Sequence, residues 1–139
     1  MKILVDSSVW IDSLRGTATE ETALLRRLIL GGDAPRTTVL VGDLILLEVL
    51  RGITQDRLYR TTRSRLLSFA QVELGGTRIA EAAVEHYRAL RQRGITIRKS
   101  VDCLIATWCI RHDTALLTSD RDFLPFARHR GLQLVGPTA

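Results

Sequence analysis

The chain has 139 residues, of which 45% are hydrophobic and 25% are charged, a composition that favours one globular domain and excludes a disordered or fibrous chain. Lys and Arg number 20 against 15 Asp and Glu, a net charge of +5, and the only lysines are Lys2 and Lys99. This arginine excess predicts either contact with a polyanion such as nucleic acid or a solvated basic surface. No apolar stretch has the pattern of a signal peptide or a membrane span, so we expect a cytoplasmic protein.

The first half of the chain alternates short apolar strands with helices. Residues 2–5 form a β-branched run that predicts a buried strand ending at Asp6, and Ser7 or Ser8 is placed to cap a helix that continues to Leu14. Thr19 and Thr22 offer a cap for the next helix. The remaining elements predicted here are helices over residues 19–30, 43–51 and 54–69 and strands over 39–41 and 71–74.

The second half repeats the alternation. It predicts helices over residues 78–93, 100–112 (capped by Ser100) and 125–131, a helical turn over 121–123, and strands over 115–118 and 132–135. Strands and helices in this order indicate one α/β domain over residues 1–139, with a central, mostly parallel sheet of four to five short strands. In such sheets the working site lies at the carboxyl ends of the strands.

Acidic residues interrupt segments that are otherwise apolar. Asp6 ends the first strand, and Asp120 follows the strand over residues 115–118. Glu48 and Asp102 lie in helices that are apolar on every face, which predicts that both helices are buried. Because a buried carboxylate is costly unless it is paired or bound to a cation, we predict that these acids meet at one sheet edge and hold Mg²⁺ or Mn²⁺. Such ions support phosphodiester cleavage.

Each of these residues also has an ordinary structural interpretation. Asp6 and Asp120 could cap helices, Asp102 could interact with the helix dipole, and Arg51 could pair with Glu48. The hydroxyl groups that flank the acids could orient them, although capping is the favoured interpretation of Ser8 and Ser119. Only the joint placement of the acids favours a site. Cys103 and Cys109 lie too far apart on one predicted helix for a disulfide, so they are interpreted as small buried hydrophobes.

The acids fall in four motifs, namely residues 5–12 (VDSSVWID), 47–52 (LEVLRG), 102–106 (DCLIA) and 117–123 (LTSDRDF). In this order and spacing the chain resembles the PIN-domain ribonucleases, and its length is similar to that of the VapC toxins of bacterial toxin–antitoxin pairs. The resemblance implies a PIN-like α/β/α sandwich and RNA cleavage by metal-activated water. It also implies inhibition by a cognate antitoxin in a hetero-oligomer, and a homodimeric toxin.

The resemblance extends to individual positions. The catalytic acids that it implies are Asp6, Glu48, Asp102 and Asp120. The three aspartates among them are expected to hold Mg²⁺ or Mn²⁺, and Glu48 to bind the metal or its waters. Thr118 falls on a position where a hydroxyl group assists the site, and Asp122 where a further acid is often present. Ser7 and Arg51 are expected to support the site, Arg51 either by holding Glu48 or by contacting the scissile phosphate.

The sequence leaves two alternatives open for each of two groups of side chains. The exposed face of the helix over residues 54–69 either follows an RNA backbone or is simply solvated, and its basic residues are Arg57, Arg60, Arg63 and Arg65. A second group either lines a groove for an antitoxin helix or belongs to the core, and consists of Trp10, Leu14, Leu24 and Leu28.

Three other functions compete with the toxin hypothesis. A phosphoryl-accepting receiver domain also clusters acids at strand ends, but it needs a lysine near a late strand, and neither Lys2 nor Lys99 is suitably placed in the sequence. A non-catalytic RNA-binding module would use only the basic surface. A PIN nuclease of RNA processing, for example in ribosomal RNA maturation, would use the same acids without an antitoxin.

Overall fold

The computed structural model describes residues 1–31 and 36–137. Five strands in these ranges form one sheet in the order β3-β2-β1-β4-β5, and every neighbouring pair is parallel. The strands are β1 (Lys2–Val5), β2 (Thr38–Gly42), β3 (Ala70–Val72), β4 (Ala115–Leu117) and β5 (Leu134–Val135). The predicted parallel sheet of four to five strands is therefore confirmed.

Helices connect the strands as predicted, with ends that differ by a few residues. They are α1 (Ser7–Leu14), α2 (Glu20–Leu30), α3 (Asp43–Arg51), α4 (Asp56–Leu67), α5 (Thr77–Gln92), α6 (Ser100–Arg111) and α7 (Leu124–His129), with a 3₁₀ turn at Arg121–Phe123. Thr19 and Thr22 form the predicted capping box of α2. The serine caps are wrong, because α1 and α6 follow Asp6 and Lys99 and neither helix has a side-chain cap hydrogen bond.

The winding of the sheet reverses beside β1. The chain passes from β1 outward to β2 and β3, then returns to the other side of β1 for β4 and β5. Right-handed crossovers therefore place α1–α4 on one face and α5–α7 on the other. The helix contacts agree, since α1 packs on α2 and α3, α3 on α4, and α5 on α6 and α7. This is the α/β/α sandwich that the resemblance implies. No helix in the described part of the chain is long and apolar enough to cross a membrane.

The two helices predicted to be buried on every face differ. Asp102, on α6, is 7% exposed as expected, and the free thiols of Cys103 and Cys109 lie in the same buried helix. On α3 only Ile45 and Val49 are buried, while Leu47 is 61% exposed and Glu48 is half-buried. The prediction for α3 is wrong because only its i, i+4 pair is fully buried. Leu44, Leu46 and Leu50 pack partly buried against the core, and Leu47 faces water.

The possible groove residues also divide between core and surface. Trp10 is buried and packs against Phe69 with ring centroids 5.4 Å apart, so it belongs to the core. Leu24 and Leu28 are partly buried against that core. Leu14 is 37% exposed. The four side chains therefore do not form one exposed apolar surface.

Gly42, at the end of β2, is expected to tolerate no side chain. A Cβ atom there would contact Cδ1 of Leu74 and lie 2.7 Å from its Cγ. Leu74 cannot easily yield, because it is fully buried and its N–H donates a 2.9 Å hydrogen bond to Asp43 Oδ1. Gly42→Ala should lower the free energy of unfolding by about 1–3 kcal/mol in a urea titration. Gly75→Ala is the control, since nothing lies within 4 Å of its Cβ position; equal stability of the two variants would contradict this packing.

Candidate active site

The reversal point of the sheet brings the carboxyl ends of β1 and β4 side by side. Asp6 directly follows β1, and its N–H donates a 2.9 Å hydrogen bond to the carbonyl of Leu117, the last residue of β4. Thr118 comes next in the chain and is fully buried. The first acid and the loop that carries Asp120 therefore lie at the position where parallel α/β sheets bind ligands.

Two hydroxyl groups hold the Asp6 carboxylate. Its Oδ2 accepts hydrogen bonds from Ser8 Oγ at 2.7 Å and from Thr118 Oγ1 at 2.9 Å. The same two hydroxyl oxygens also accept hydrogen bonds from backbone N–H groups of the loop after β4. Thr118 Oγ1 accepts from the N–H of Asp120 at 3.0 Å, and Ser8 Oγ accepts from the N–H of Ser119 at 3.3 Å. Burial raises the pKa of Asp6, and the hydrogen bonds from Ser8 and Thr118 partly offset that rise. Asp6 is thus fixed relative to the Asp120 loop.

Ser8 belongs to this site, and its interpretation as a cap is wrong. Asp6 is the N-cap of α1, so Ser8 lies inside the helix, where its hydroxyl reaches the carboxylate instead of an end N–H group. The sequence carried one indication, because the hydroxyl follows Asp6 at i+2, a spacing at which serine commonly bonds a near neighbour. Thr118 has the supporting contact that was predicted for it.

Asp102 carries a buried oxygen atom without a partner. Its Oδ2 is inaccessible to solvent and makes no hydrogen bond within the described structure. The pKa of Asp102 is raised to about 7, chiefly by burial; the positive charge of Lys99 opposes the rise, and the charges of Asp6 and Asp120 contribute to it. An unpartnered buried carboxylate costs free energy unless something binds it. This oxygen is therefore a candidate for binding a cation.

Asp102 forms a compact group with two further aspartates. Asp102, Asp120 and Asp122 each place one carboxylate oxygen within 4.8 Å of the others. The 3₁₀ turn produces this arrangement, because Asp120 Oδ1 accepts a 2.9 Å hydrogen bond from the N–H of Asp122 and so brings the two side chains together. The compact trio thus contains the exposed Asp122 in the place where the sequence favoured Asp6. Asp6 remains close enough for its charge to raise the pKa of Asp102.

Glu48 reaches the same region from α3. Its Oε2 accepts a hydrogen bond from Ser7 Oγ at 3.3 Å, which is the supporting contact predicted for Ser7. Burial and the charge of Asp6 raise the pKa of Glu48, while Arg51 and Lys99 lower it. Arg51 is exposed and forms no ion pair with Glu48 among the described residues. Of the two roles predicted for Arg51, direct contact with Glu48 is therefore wrong, and Arg51 acts on Glu48 through its charge. Contact of Arg51 with the scissile phosphate stays a prediction.

Lys99 is a member of the site that the sequence analysis missed. It immediately precedes α6, and its Nζ donates to Asp120 Oδ2 at 3.5 Å. The charges of Asp102 and Asp120 raise the pKa of Lys99. The sequence analysis considered Lys99 only as a receiver-domain lysine near a late strand and did not place it beside the acids; in the structure it directly precedes a helix. The available indication was the spacing of Lys99 and Asp102, since residues three apart lie on one face of a helix start.

The acid cluster suits a hard divalent cation. We define it as Asp6, Glu48, Asp102, Asp120 and Asp122. Its ligand atoms are carboxylate oxygens, the donors that Mg²⁺ and Mn²⁺ prefer, and no histidine or cysteine joins the compact trio of aspartates in the described structure. The unpartnered Asp102 oxygen is the observation that fits a cation, because an ion would supply the missing partner.

Thr118→Val is expected to weaken divalent-cation binding about 10- to 100-fold, since hydrogen bonds that orient metal ligands contribute about that much to affinity. Valine has the same shape but cannot donate to Asp6 or accept from the Asp120 N–H. Thr107→Val is the matched control, because Thr107 is also fully buried but bonds only the helical carbonyl of Cys103. Titration calorimetry with Mn²⁺ measures both variants, and equal affinities would exclude the assigned role of Thr118.

Known proteins resemble this chain in sequence. The profile of the PIN domain matches residues 3–129 of the chain. Ribonuclease VapC11 of Mycobacterium tuberculosis and a VapC ribonuclease of Mycobacterium bovis are each 33% identical over 131 residues, which is 94% of this chain and 96% of each relative.

Solved structures share the fold. VapBC2 of Rickettsia felis, bound to a DNA fragment from its promoter, aligns with a TM-score of 0.75 at 19% identity and covers 97% of this chain and 98% of the other. VapBC-1 of nontypeable Haemophilus influenzae aligns with a TM-score of 0.72 at 14% identity, covering 97% of both chains. At these identities the structures support the fold alone.

Proposed function

This chain belongs to the PIN-domain family, and we propose that it is a metal-dependent endoribonuclease that acts as the toxin of a toxin–antitoxin pair. Identity of 33% to VapC ribonucleases over nearly their whole length supports the activity. The observation that carries the metal dependence is the unpartnered, buried Oδ2 of Asp102 beside Asp120 and Asp122.

The aspartates of the acid cluster would hold Mg²⁺ or Mn²⁺. Asp102, Asp120 and Asp122 would supply oxygens that already lie close together, and Asp6 would add a further carboxylate from the end of β1. When bound, the ion supplies a water of lowered pKa and positive charge against the phosphodiester that is cleaved. The hydroxyls of Ser8 and Thr118 keep Asp6 in place, so the ligand oxygens need little rearrangement on binding.

Glu48 is the residue that we assign to the attacking water. Its side chain is half-buried and accepts a hydrogen bond from Ser7. Its pKa is raised toward neutral pH, where a general base works best. Its position on α3 sets it apart from the compact trio of aspartates. Such a carboxylate can accept a hydrogen bond from the water and orient it toward the phosphorus atom.

The matched length supports the prediction that residues 1–139 form one nuclease domain, because the PIN profile extends over residues 3–129. The solved neighbours are toxin–antitoxin complexes, one of them bound to promoter DNA, and we extend the antitoxin partner and the hetero-oligomer to this chain. The homodimer and the cytoplasmic location, where an RNA-cleaving toxin finds its substrate, stay predictions.

Induced expression in a bacterial host tests the toxin function. The wild-type chain should arrest growth, whereas Asp102→Asn should not. Asp56→Asn, which removes the same charge from the exposed start of α4, should remain toxic. Co-expression of the product of the neighbouring open reading frame should restore growth. Cleavage by the purified protein without any growth defect would instead favour a PIN nuclease of RNA processing.

A further inference from the structure

Lys99 contacts the acid cluster from the solvent side. Its Nζ lies 3.5 Å from Asp120 Oδ2, and its side chain is 63% exposed while that of Asp120 is 26% exposed. Its charge also acts on Glu48 and Asp102, so Lys99 lies within reach of acids from two different helices. The ammonium group thus stands at the entrance of the site that these carboxylates line.

Lys99 does not complete the interior of the site. Asp102 Oδ2 remains buried and unpartnered although Lys99 lies only three residues earlier in the chain. The site therefore offers two separate positions for positive charge, an inner one beside Asp102 and an outer one held by Lys99. A phosphodiester that approached a cation at the inner position would pass the ammonium group at the outer one.

A lysine at position 99 forms a contact with Asp120 that can be released more easily than that of an arginine. Only two of the 20 cationic residues in this chain are lysines. An arginine at position 99 could bind Asp120 through two parallel hydrogen bonds and stay there. The lysine ammonium is a strongly hydrated point charge, and a single exposed contact of 3.5 Å contributes little to stability. The group can therefore move from a carboxylate to another anion at small cost.

We propose that Lys99 is a substrate-binding residue that contacts a phosphate group of the RNA next to the cleaved bond, an inference that rests on the proposed endoribonuclease function. In the metal-free protein Lys99 is held at Asp120. If Asp120 shared its charge with a bound divalent cation, Lys99 would lose its hydrogen-bond partner and its ammonium group would become available to a phosphate oxygen.

Two affinities test the role of Lys99, that for Mn²⁺ and that for RNA, and its removal should change them in opposite directions. Mn²⁺ binding to the metal-free protein is measured by calorimetry. RNA binding is measured by fluorescence anisotropy of a short labelled RNA on Ca²⁺-loaded protein, with the RNA checked intact on a gel. Lys99→Met should bind Mn²⁺ about two- to fivefold more tightly, because a competing cation is gone, and should bind RNA about tenfold more weakly. Lys99→Arg should bind Mn²⁺ less tightly than Lys99→Met and should restore RNA affinity only in part, because its two hydrogen bonds to Asp120 compete with the phosphate.

Arg98→Met is the matched control, since it removes one positive charge from the adjacent exposed residue and should change both affinities by less than about twofold. Unchanged RNA affinity in Lys99→Met would reduce Lys99 to a counterion of Asp120 and overturn the proposal. Equal losses in Lys99→Met and Arg98→Met would attribute RNA binding to general charge and also overturn it. Failure of the wild type to cleave RNA would refute the proposed function, while the binding comparison would still decide the role of Lys99.

Discussion

Asp102→Asn is expected to abolish RNA cleavage, with a loss of about 10³-fold or more, and at the same time to stabilise the metal-free protein. The loss follows from removal of a central metal ligand. The gain follows from burial, because the wild-type carboxylate has an oxygen that is inaccessible to solvent and unpartnered, whereas an amide carries no charge. We expect the free energy of unfolding at neutral pH to rise by roughly 1–3 kcal/mol.

The stability gain should depend on pH in a defined direction. The pKa of Asp102 is raised from 3.8 in the unfolded chain to about 7 in the fold, so the folded wild type loses stability as pH rises from about 4 to 7. The Asp102→Asn variant has no carboxyl group at this position, so its stability should not fall with pH for this reason. Thermal unfolding of both proteins in chelator should therefore coincide near pH 4 and separate above pH 7. The control Asp56→Asn lies at an exposed position and should follow the wild type throughout; a less stable Asp102→Asn at pH 8 would contradict this account of Asp102.

The affinity of the wild type for Mn²⁺ should fall steeply with acidification. A cation and a proton compete for the same Asp102 carboxylate, and the proton leaves it at about pH 7. The apparent dissociation constant should therefore rise about tenfold for each pH unit below 7 and be nearly constant above 7.5. The raised pKa values of Asp6 and Glu48 add to the proton competition and make the dependence steeper.

Calorimetric titration between pH 5.5 and 8 measures this dependence directly, with circular dichroism confirming at each pH that the protein is folded. Thr107→Val serves as the control, because its substitution lies away from the carboxylates and should leave the pH profile unchanged. A dissociation constant that stays the same from pH 7.5 to 5.5 would contradict the competition of a proton and the ion for Asp102.

Local patterns in the sequence predicted the parts of the site that burial determines. The apolar run of α6 made the position of Asp102 anomalous, and the structure buries that residue as expected. The strand-end rule correctly brought Asp6 and the Asp120 loop together, because neighbouring parallel strands end at one sheet edge. The same reasoning failed for α3, where Leu47 is exposed. An exposed apolar side chain costs little free energy, so the sequence pattern alone cannot show which leucine of an apolar helix faces water.

The parts that sequence reasoning missed depend on distant contacts. The sequence around Ser8 suggests only a helix cap. The fold shows that Ser8 joins Asp6 to the N–H of Ser119, which lies 111 residues after Ser8 in the chain. Lys99 contacts Asp120 across 21 residues of chain. Asp122 was expected only as a further acid of the site, and its place beside Asp102 and Asp120 depends on side-chain directions in a 3₁₀ turn that the sequence did not indicate.

Cleavage of total cellular RNA by the purified, antitoxin-free protein tests the central proposal most directly. Wild type, Asp102→Asn and Asp56→Asn are incubated with Mg²⁺, a further wild-type sample receives a chelator, and the new 5′ ends are mapped. We expect discrete new ends with the wild type and Asp56→Asn, and none with Asp102→Asn or after chelation. Folded wild type that produces no ends with Mg²⁺, or ends that persist without the metal or without the Asp102 carboxylate, would contradict a metal-dependent endoribonuclease at this site.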